Sequence, residues 1–330
     1  MSQEASVPTR GPLVVLVGPT GVGKTALSLA LARRLPVPCE IISADSRQIY
    51  RGMDIGTAKP TPEERRQVPH HLLDLAAPDE VITLAQYQAL CYRTVDEVLK
   101  RGHLPLLVGG TGLYVRAVVE GWTVPRVPPD PVFRQALERV AAEQGPEALF
   151  RRLQEVDPEA AARVDPRNVR RVIRALEVYK ATGKPFSVYQ RRDPPPYCVL
   201  MLGLTMPRED LYARVDARID HMLQAGLVDE VRELLEAGYA PDLPAMTGLG
   251  YREIALYLQG EVTREEAIAL LRRNTRRLIR HQCNWFRLDD PRIRWFDARE
   301  AGLVEQVLQE VRRFLVRVGW LRPEDERDGG

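Results

Sequence analysis

Short apolar runs separated by amphipathic stretches dominate the first 120 or so positions, and their spacing predicts strands alternating with helices. Leu13-Val14-Val15-Leu16-Val17 has the length of a buried strand, and residues 26–35 follow as a helix that stops before Pro36. Glu40-Ile41-Ile42-Ser43 reads as a second strand, running into Ala44-Asp45-Ser46-Arg47-Gln48. A polar stretch over 50–78 carries Gly52, Gly56, Pro60, Pro62 and Pro69 and reads as loop with short helical turns. Loops of that length usually serve function. A helix opens at Thr83 and runs to about 101, where Gly102 closes it. Pro105-Leu106-Leu107-Val108 is a third strand, ending in Gly109-Gly110-Thr111-Gly112. Such alternation predicts a parallel α/β sheet with ligands at the carboxyl ends of its strands. Asp45 and Thr111 both fall at such ends.

From Trp122 the pattern changes. Pro125, Pro128, Pro129 and Pro131 form a linker, and Asp130-Pro131 supplies an N-cap and first helical residue. Helices are expected at 131–144, 146–155 and 166–182 with no strand between them, so 122–196 reads as an inserted all-helical domain. Residues 197–204 resume as a strand. Helices follow at 208–225, 227–237, 250–258 and from Thr263, where Thr263-x-x-Glu266 is a capping box. A strand at 293–296 and a helix near 299–317 complete a core made of 11–121 and 197–318. Residues 1–10 and 324–330 are expected to be disordered.

Composition narrows the class. A 330-residue chain that is 45% apolar can bury a large core, and no apolar run approaches the roughly 20 residues of a membrane span. Cys39, Cys91, Cys198 and Cys283 are scattered, which argues against structural zinc and disulfides and fits a reducing cytoplasm. A net charge of +2 means that any nucleic-acid surface must come from local clustering. Nothing calls for an obligate protein partner.

The strongest chemical signal is Gly18-Pro19-Thr20-Gly21-Val22-Gly23-Lys24-Thr25, which fits the phosphate-binding loop pattern and sits between strand and helix as that motif requires. Its glycines let backbone amides turn toward phosphate oxygens at a helix N-terminus, Lys24 can reach the outer phosphate, and Thr25 can ligate Mg²⁺. Taken alone, the loop suggests a nucleotide triphosphatase or a kinase, but the third strand ends in Gly-Gly-Thr rather than in an acid for the metal. Asp45 could hold the metal instead, or take a proton from a bound acceptor. Thr111 is either a contact to a bound molecule or a turn hydroxyl.

Two basic arrays stand apart. Arg163, Arg167, Arg170, Arg171 and Arg174 recur at helical spacing in the inserted domain. Arg272, Arg273, Arg276, Arg277, Arg280 and Arg287 have no acidic residue between them, and His281, Gln282, Asn284, Trp285 and Phe286 are interleaved. Cations beside amides and aromatics suit looped RNA, through phosphate contacts and stacking. Solvated, salt-bridged helix faces are the alternative. The histidines, including His70-His71 and His103, fit no metal pattern.

Taken together, several segments resemble the bacterial tRNA dimethylallyltransferase family. They are the phosphate loop, 43–50 (SADSRQIY), 53–60 (MDIGTAKP), 106–114 (LLVGGTGLY), 174–179 (RALEVY), 248–252 (GLGYR) and 280–286 (RHQCNWF), and the likeness covers about 12–298. The resemblance implies a P-loop-type core and transfer of a dimethylallyl group from dimethylallyl diphosphate to N6 of the adenosine immediately 3′ of the anticodon. The loop would then hold a diphosphate leaving group with Mg²⁺ rather than ATP. By position, Asp45 corresponds to the general base, Thr111 to a substrate contact and Arg218 to an arginine near the diphosphate. The tRNA anticodon stem-loop would be met by Asp45, Ser46, Arg47 and Gln48, by Arg134, Arg167, Arg170, Arg171 and Arg174, and by Met246, Thr247, Gly248, Leu249, Gly250 and Tyr251. Arg276, Arg277, Arg280, His281, Gln282, Asn284, Trp285 and Arg287 complete that set. The target base is expected to flip into a channel between core and insertion. The wall for the dimethylallyl tail stays unassigned. An ATP-dependent small-molecule kinase, an RNA-binding protein with the loop as a switch, and transfer to free AMP are the competing readings.

Overall fold

Six parallel strands in the order β3-β2-β4-β1-β5-β6 form the sheet that positions the site. A computed structural model describes residues 10–189, 191–193 and 195–326. The strands are β1 (Pro12–Val17), β2 (Cys39–Ser43), β3 (His70–His71), β4 (Leu104–Gly109), β5 (Cys198–Thr205) and β6 (Ile293–Asp297). In the same unit lie α1 (Lys24–Arg34), α2 (Pro62–Gln67), most of α3 (Leu84–Lys100) and α4 (Gly112–Val119). The smaller unit contains α5 (Pro131–Gln144), α6 (Pro146–Val156), α7 (Pro158–Ala161) and α8 (Val169–Thr182). The larger unit then resumes with α9 (Arg208–Gln224), α10 (Leu227–Glu236), α11 (Tyr251–Leu258), α12 (Arg264–Trp285) and α13 (Leu303–Arg317).

Every residue of β1 is buried, as expected for a central strand covered on both faces. It pairs with β4 through Val14–Leu106 and Leu16–Val108, and with β5 through Val14–Leu200 and Leu16–Leu202. One core joins these strands to Leu27 and Leu31 of α1, Leu211 and Val215 of α9, and Val311 and Phe314 of α13. Fully burying such a leucine or phenylalanine contributes about 1.5–3 kcal/mol. A second core packs Ile49, Tyr50 and Met53 of the loop after β2 against Ile219, Val231, Ile254 and Leu271 of α9–α12. That core holds the loop near the carboxyl ends of the strands. The smaller unit has its own core of Leu137, Leu149, Leu153, Val172, Ile173 and Leu176.

The smaller unit comprises Thr83–Tyr87 and Glu120–Pro194, and the other described residues belong to the larger. The smaller unit therefore takes in the first residues of α3, which the sequence reading leaves in the core. Other differences are local. β3 has only two residues and pairs with β2 through His70 and His71, too short for any periodicity to reveal. α4 and the four-residue α7 were also unforeseen, and α13 begins at Leu303 rather than near 299. Of the expected disordered ends, Arg10 is ion-paired with Asp96 at 2.9 Å and Pro323–Glu326 is a 3₁₀ turn. Residues 1–9 and 327–330 lie outside the described residues. No helix among the described residues is long and apolar enough to cross a membrane.

Candidate active site

The phosphate loop follows β1 and leads straight into α1, whose N-terminal amides are the natural donors to an anion. Gly18, Gly21 and Gly23 have φ of 147°, 80° and 108°, in the left-handed range that disfavours side chains. At two of them space forbids a side chain as well: a Cβ on Gly18 would meet the Leu204 carbonyl oxygen at 2.6 Å, and one on Gly21 would meet Val215 at 2.5 Å. Val22 turns wholly into the core, so it shapes the loop without facing a ligand. Lys24 Nζ donates to the carbonyls of Gly18 and Pro19, each at 2.9 Å. Burial lowers the Lys24 pKa to about 8; Asp45 opposes that shift and Arg218 adds to it.

α9 brings Arg214 and Arg218, one turn apart, against this loop. Arg218 Nη1 lies 3.5 Å from the Thr20 hydroxyl, and Arg214 Nη1 lies 3.5 Å from the Val22 carbonyl oxygen. Burial pushes the Arg218 pKa down while Asp45 pushes it up. Among the described residues, none of Lys24, Arg214 and Arg218 has a carboxylate within ion-pair distance. Positive charge at this rim is thus left for a ligand. Arg214 went unnoticed in the sequence, although its i, i+4 relation to Arg218 was there to read.

Asp45 and Thr111 meet at the neighbouring strand ends. Asp45 Oδ1 accepts the Arg47 amide at 2.8 Å, which leaves the rest of the carboxylate facing the pocket. Thr111 Oγ1 accepts the Ser46 amide at 3.0 Å, and its own amide donates to Ala44 at 3.2 Å. The two strand-end loops are thereby locked together. Gly109 permits this approach, since a Cβ there would fall 2.1 Å from the Ala44 carbonyl oxygen.

The loop after β2 is held by a carboxylate that sequence reading missed. Glu230 of α10 accepts the amides of Asp54, Ile55 and Gly56 at 2.9, 2.8 and 3.1 Å, and the Tyr251 hydroxyl at 2.5 Å. Buried Lys59 bonds Asp54, Asp74 and the Tyr50 carbonyl. Gln48 also turns inward, accepting from Ser43 and donating to the carbonyls of Thr57 and Ala58.

Two pockets share this rim. A polar one of about 340 Å³ is lined by Thr20, Gly21, Gly23, Lys24, Thr25, Asp45, Arg214 and Arg218. A second, of about 360 Å³, is lined by Asp45, Ser46, Arg47, Thr111, 247–251, His281, Gln282 and Trp285, with an apolar wall of Val215, Ile219, Met222, Leu249, Leu271 and Leu278. Thr20, Asp45, Thr57 and Arg218 line both. Asp45 therefore stands where the cationic pocket joins the one with the apolar wall. All lining residues belong to the larger unit.

The arginines divide sharply. Arg276 is ion-paired with Asp216 and Arg272 with Asp220, both acids coming from α9, so two arginines of the acid-free run along α12 are neutralised from outside. Arg287 bonds Asp289 with two nitrogens at 3.0 and 2.8 Å. In the smaller unit Arg134 and Arg174 both engage buried Glu177, and Arg167 is chelated by Asp165. Arg170, Arg171, Arg273 and Arg277 are exposed with no ion pair among the described residues. Exposed Arg280 reaches the Tyr212 hydroxyl at 3.4 Å. Of the other expected tRNA contacts, Met246 and Tyr251 are buried, and the part-exposed Arg47 guanidinium donates to the carbonyls of Pro244 and Ala245. His281, Asn284 and Trp285 are exposed at the end of α12.

Comparison with known proteins identifies the family. The family model described as IPP transferase matches residues 48–289. The chain is 54% identical to the tRNA dimethylallyltransferase of Roseiflexus sp. strain RS-1 over 304 residues, covering 92% of this chain and 99% of the relative. It is 52% identical to that of Thermomicrobium roseum, over 93% of this chain and 92% of the relative. Among solved structures, the tRNA isopentenylpyrophosphate transferase of Bacillus halodurans superposes with a TM-score of 0.69 at 43% identity, covering 93% of this chain and 98% of that one. A eukaryotic dimethylallyltransferase acting on tRNA gives a TM-score of 0.78 at 25% identity, with 93% and 80% covered. The chain belongs to the IPP transferase family.

Proposed function

We propose that this chain transfers the dimethylallyl group of dimethylallyl diphosphate to N6 of the adenosine immediately 3′ of the anticodon in tRNA, forming N6-isopentenyladenosine and diphosphate. The observation that carries this reading is Asp45 at the junction of the two pockets. The cationic pocket suits the diphosphate, and the apolar wall of Val215, Ile219, Met222 and Leu249 suits the five-carbon tail. The relatives named for this activity support the same assignment.

The exocyclic N6 attacks the first carbon of the dimethylallyl group as the carbon–oxygen bond to diphosphate breaks. Its lone pair is delocalised into the ring, so it gains nucleophilicity as it sheds a proton to the Asp45 carboxylate. The leaving diphosphate gains charge, which Lys24, Arg214, Arg218 and the loop amides stabilise. Thr111 keeps the Asp45 loop in place through the Ser46 amide. The Thr25 hydroxyl at the start of α1 would help to hold a Mg²⁺ that accompanies the diphosphate. Such an ion would neutralise part of the leaving group's charge. Exposed Arg273, Arg277 and Arg280 with Trp285 suit an anticodon stem-loop, with Trp285 as stacking platform. We place the reaction in the cytoplasm with its tRNA substrate.

The test is to incubate the protein with unmodified tRNA and either labelled dimethylallyl diphosphate or labelled ATP, then to digest the RNA and weigh its nucleosides. One adenosine heavier by a dimethylallyl group, adjacent to the anticodon, is the expected product. Label entering tRNA from ATP alone, or free AMP accepting the group as readily as tRNA, would overturn the assignment.

A further inference from the structure

Resting on the reading above, we propose that Gln282 is a positioning residue that sets the spacing between the phosphate loop and the Gly110–Thr111 turn, and is not a tRNA contact. Its neighbours on α12, His281 and Cys283, are exposed, but Gln282 is only 9% exposed and points inward. Its Oε1 accepts the Thr20 amide at 2.8 Å, and its Nε2 donates to the Gly110 carbonyl at 3.1 Å. The amide's orientation is fixed by this pairing: reversed, it would set acceptor against acceptor and donor against donor.

The backbone around it leaves no slack. A Cβ on Gly110 would lie 2.4 Å from Gln282 Nε2 and 3.3 Å from the Gly18 carbonyl oxygen. One turn on, a Cβ on Gly112 would collide with the Trp285 ring at 2.2 Å. Arg116 of α4 ties down the last turn by donating to the Trp285 carbonyl at 2.8 Å and pairing with Asp290 at 3.2 Å. Gln282 therefore spans two loops that carry the diphosphate cradle and Thr111, from a helix end clamped by independent contacts. No other described side chain hydrogen-bonds both loops. Its two hydrogen bonds let α12 hold one loop at a set distance from the other.

The experiment compares the wild-type chain with Gln282→Met, which keeps the shape and removes both hydrogen bonds, and Gln282→Glu, which keeps the acceptor but aims a carboxylate at the Gly110 carbonyl. Inorganic diphosphate with Mg²⁺ is titrated by calorimetry without RNA, and an anticodon stem-loop RNA is titrated by fluorescence anisotropy. Both variants should weaken diphosphate binding and raise the donor KM by about tenfold or more, the scale of an unsatisfied buried donor. RNA affinity and the KM for tRNA should stay within about twofold. Weakened RNA binding with unchanged diphosphate binding would make Gln282 an RNA contact and overturn the proposal, as would no change in either. Loss of a thermal unfolding transition in both variants would overturn it too, by making the residue essential to folding. Failure of the wild-type chain to bind diphosphate would instead strike at the donor assignment itself.

Discussion

At the amino ends of β2 and β4 the protein buries a negative charge and pairs it completely; at the opposite rim of the sheet, where the loop after β1 meets α9, it gathers positive charge and leaves it unpaired. Glu40, 3% exposed, accepts from Arg101 at 2.9 and 2.8 Å, from His71 at 2.5 Å and from His103 at 2.7 Å. Burial pushes its pKa up, but these hydrogen bonds outweigh burial and hold it down to about 2. Lys24, Arg214 and Arg218 at the other end meet only carbonyls and a hydroxyl. A saturated charge cluster contributes stability; an unsaturated one has its interactions in reserve for a ligand. Only the second kind can change its energy when substrate arrives, which is the condition for catalysis.

The contrast can be broken at either end. The largest effect is expected from Asp45→Asn, which should lower single-turnover rate by about a hundredfold or more while donor and RNA affinities stay within about threefold. A rate within tenfold of wild type in a quenched-flow assay would remove Asp45 from its role. Next comes Glu40→Gln, which should cost about 1–3 kcal/mol of stability in urea unfolding at neutral pH while turnover per folded molecule is unchanged. The sign follows from linkage. A carboxylate whose pKa falls from 4.5 to about 2 on folding stabilises the fold above pH 4.5, and that contribution fades as pH drops toward 2. Acid unfolding of the Gln variant should lack this component, and identical acid profiles would refute the account.

The smallest effect concerns Lys24. With its pKa near 8 in the free protein, it carries charge at pH 7 and loses it as pH rises. The kcat/KM for donor should therefore fall by up to about tenfold between pH 8 and 9, and Lys24→Arg should flatten that limb. A profile flat to pH 10 in the unmodified chain would show that Lys24 keeps its proton.

Much of the site was legible because its elements are local. The phosphate loop, Asp45 and Thr111 sit where strand periodicity and turn residues put them, and Arg218 came through the family likeness. What failed to show was tertiary. Arg276 looks free along α12 because its partner, Asp216, stands 60 positions away on α9. Glu230 gives no motif, yet it anchors a loop 174 to 176 positions earlier in the chain. Gln282 and Gln48 are expected from the family likeness to meet tRNA, but a sequence match does not say which way a side chain turns. His71 and His103, which fit no metal pattern in the sequence, share one buried acid that lies more than 30 positions earlier in the chain. The fold followed the same division: long strands and helices were readable, whereas β3 exists only through its pairing with β2.

The Glu230 anchor also bears on selectivity among anions. Successive backbone amides pointing the same way form a ready-made concavity for phosphate. Asp54, Ile55 and Gly56 present such a row within the loop that lines both pockets, and the protein fills it with its own carboxylate. With its own carboxylate as a permanent occupant, the protein closes this row of amides to any outside anion and leaves the loop after β1 as the open one.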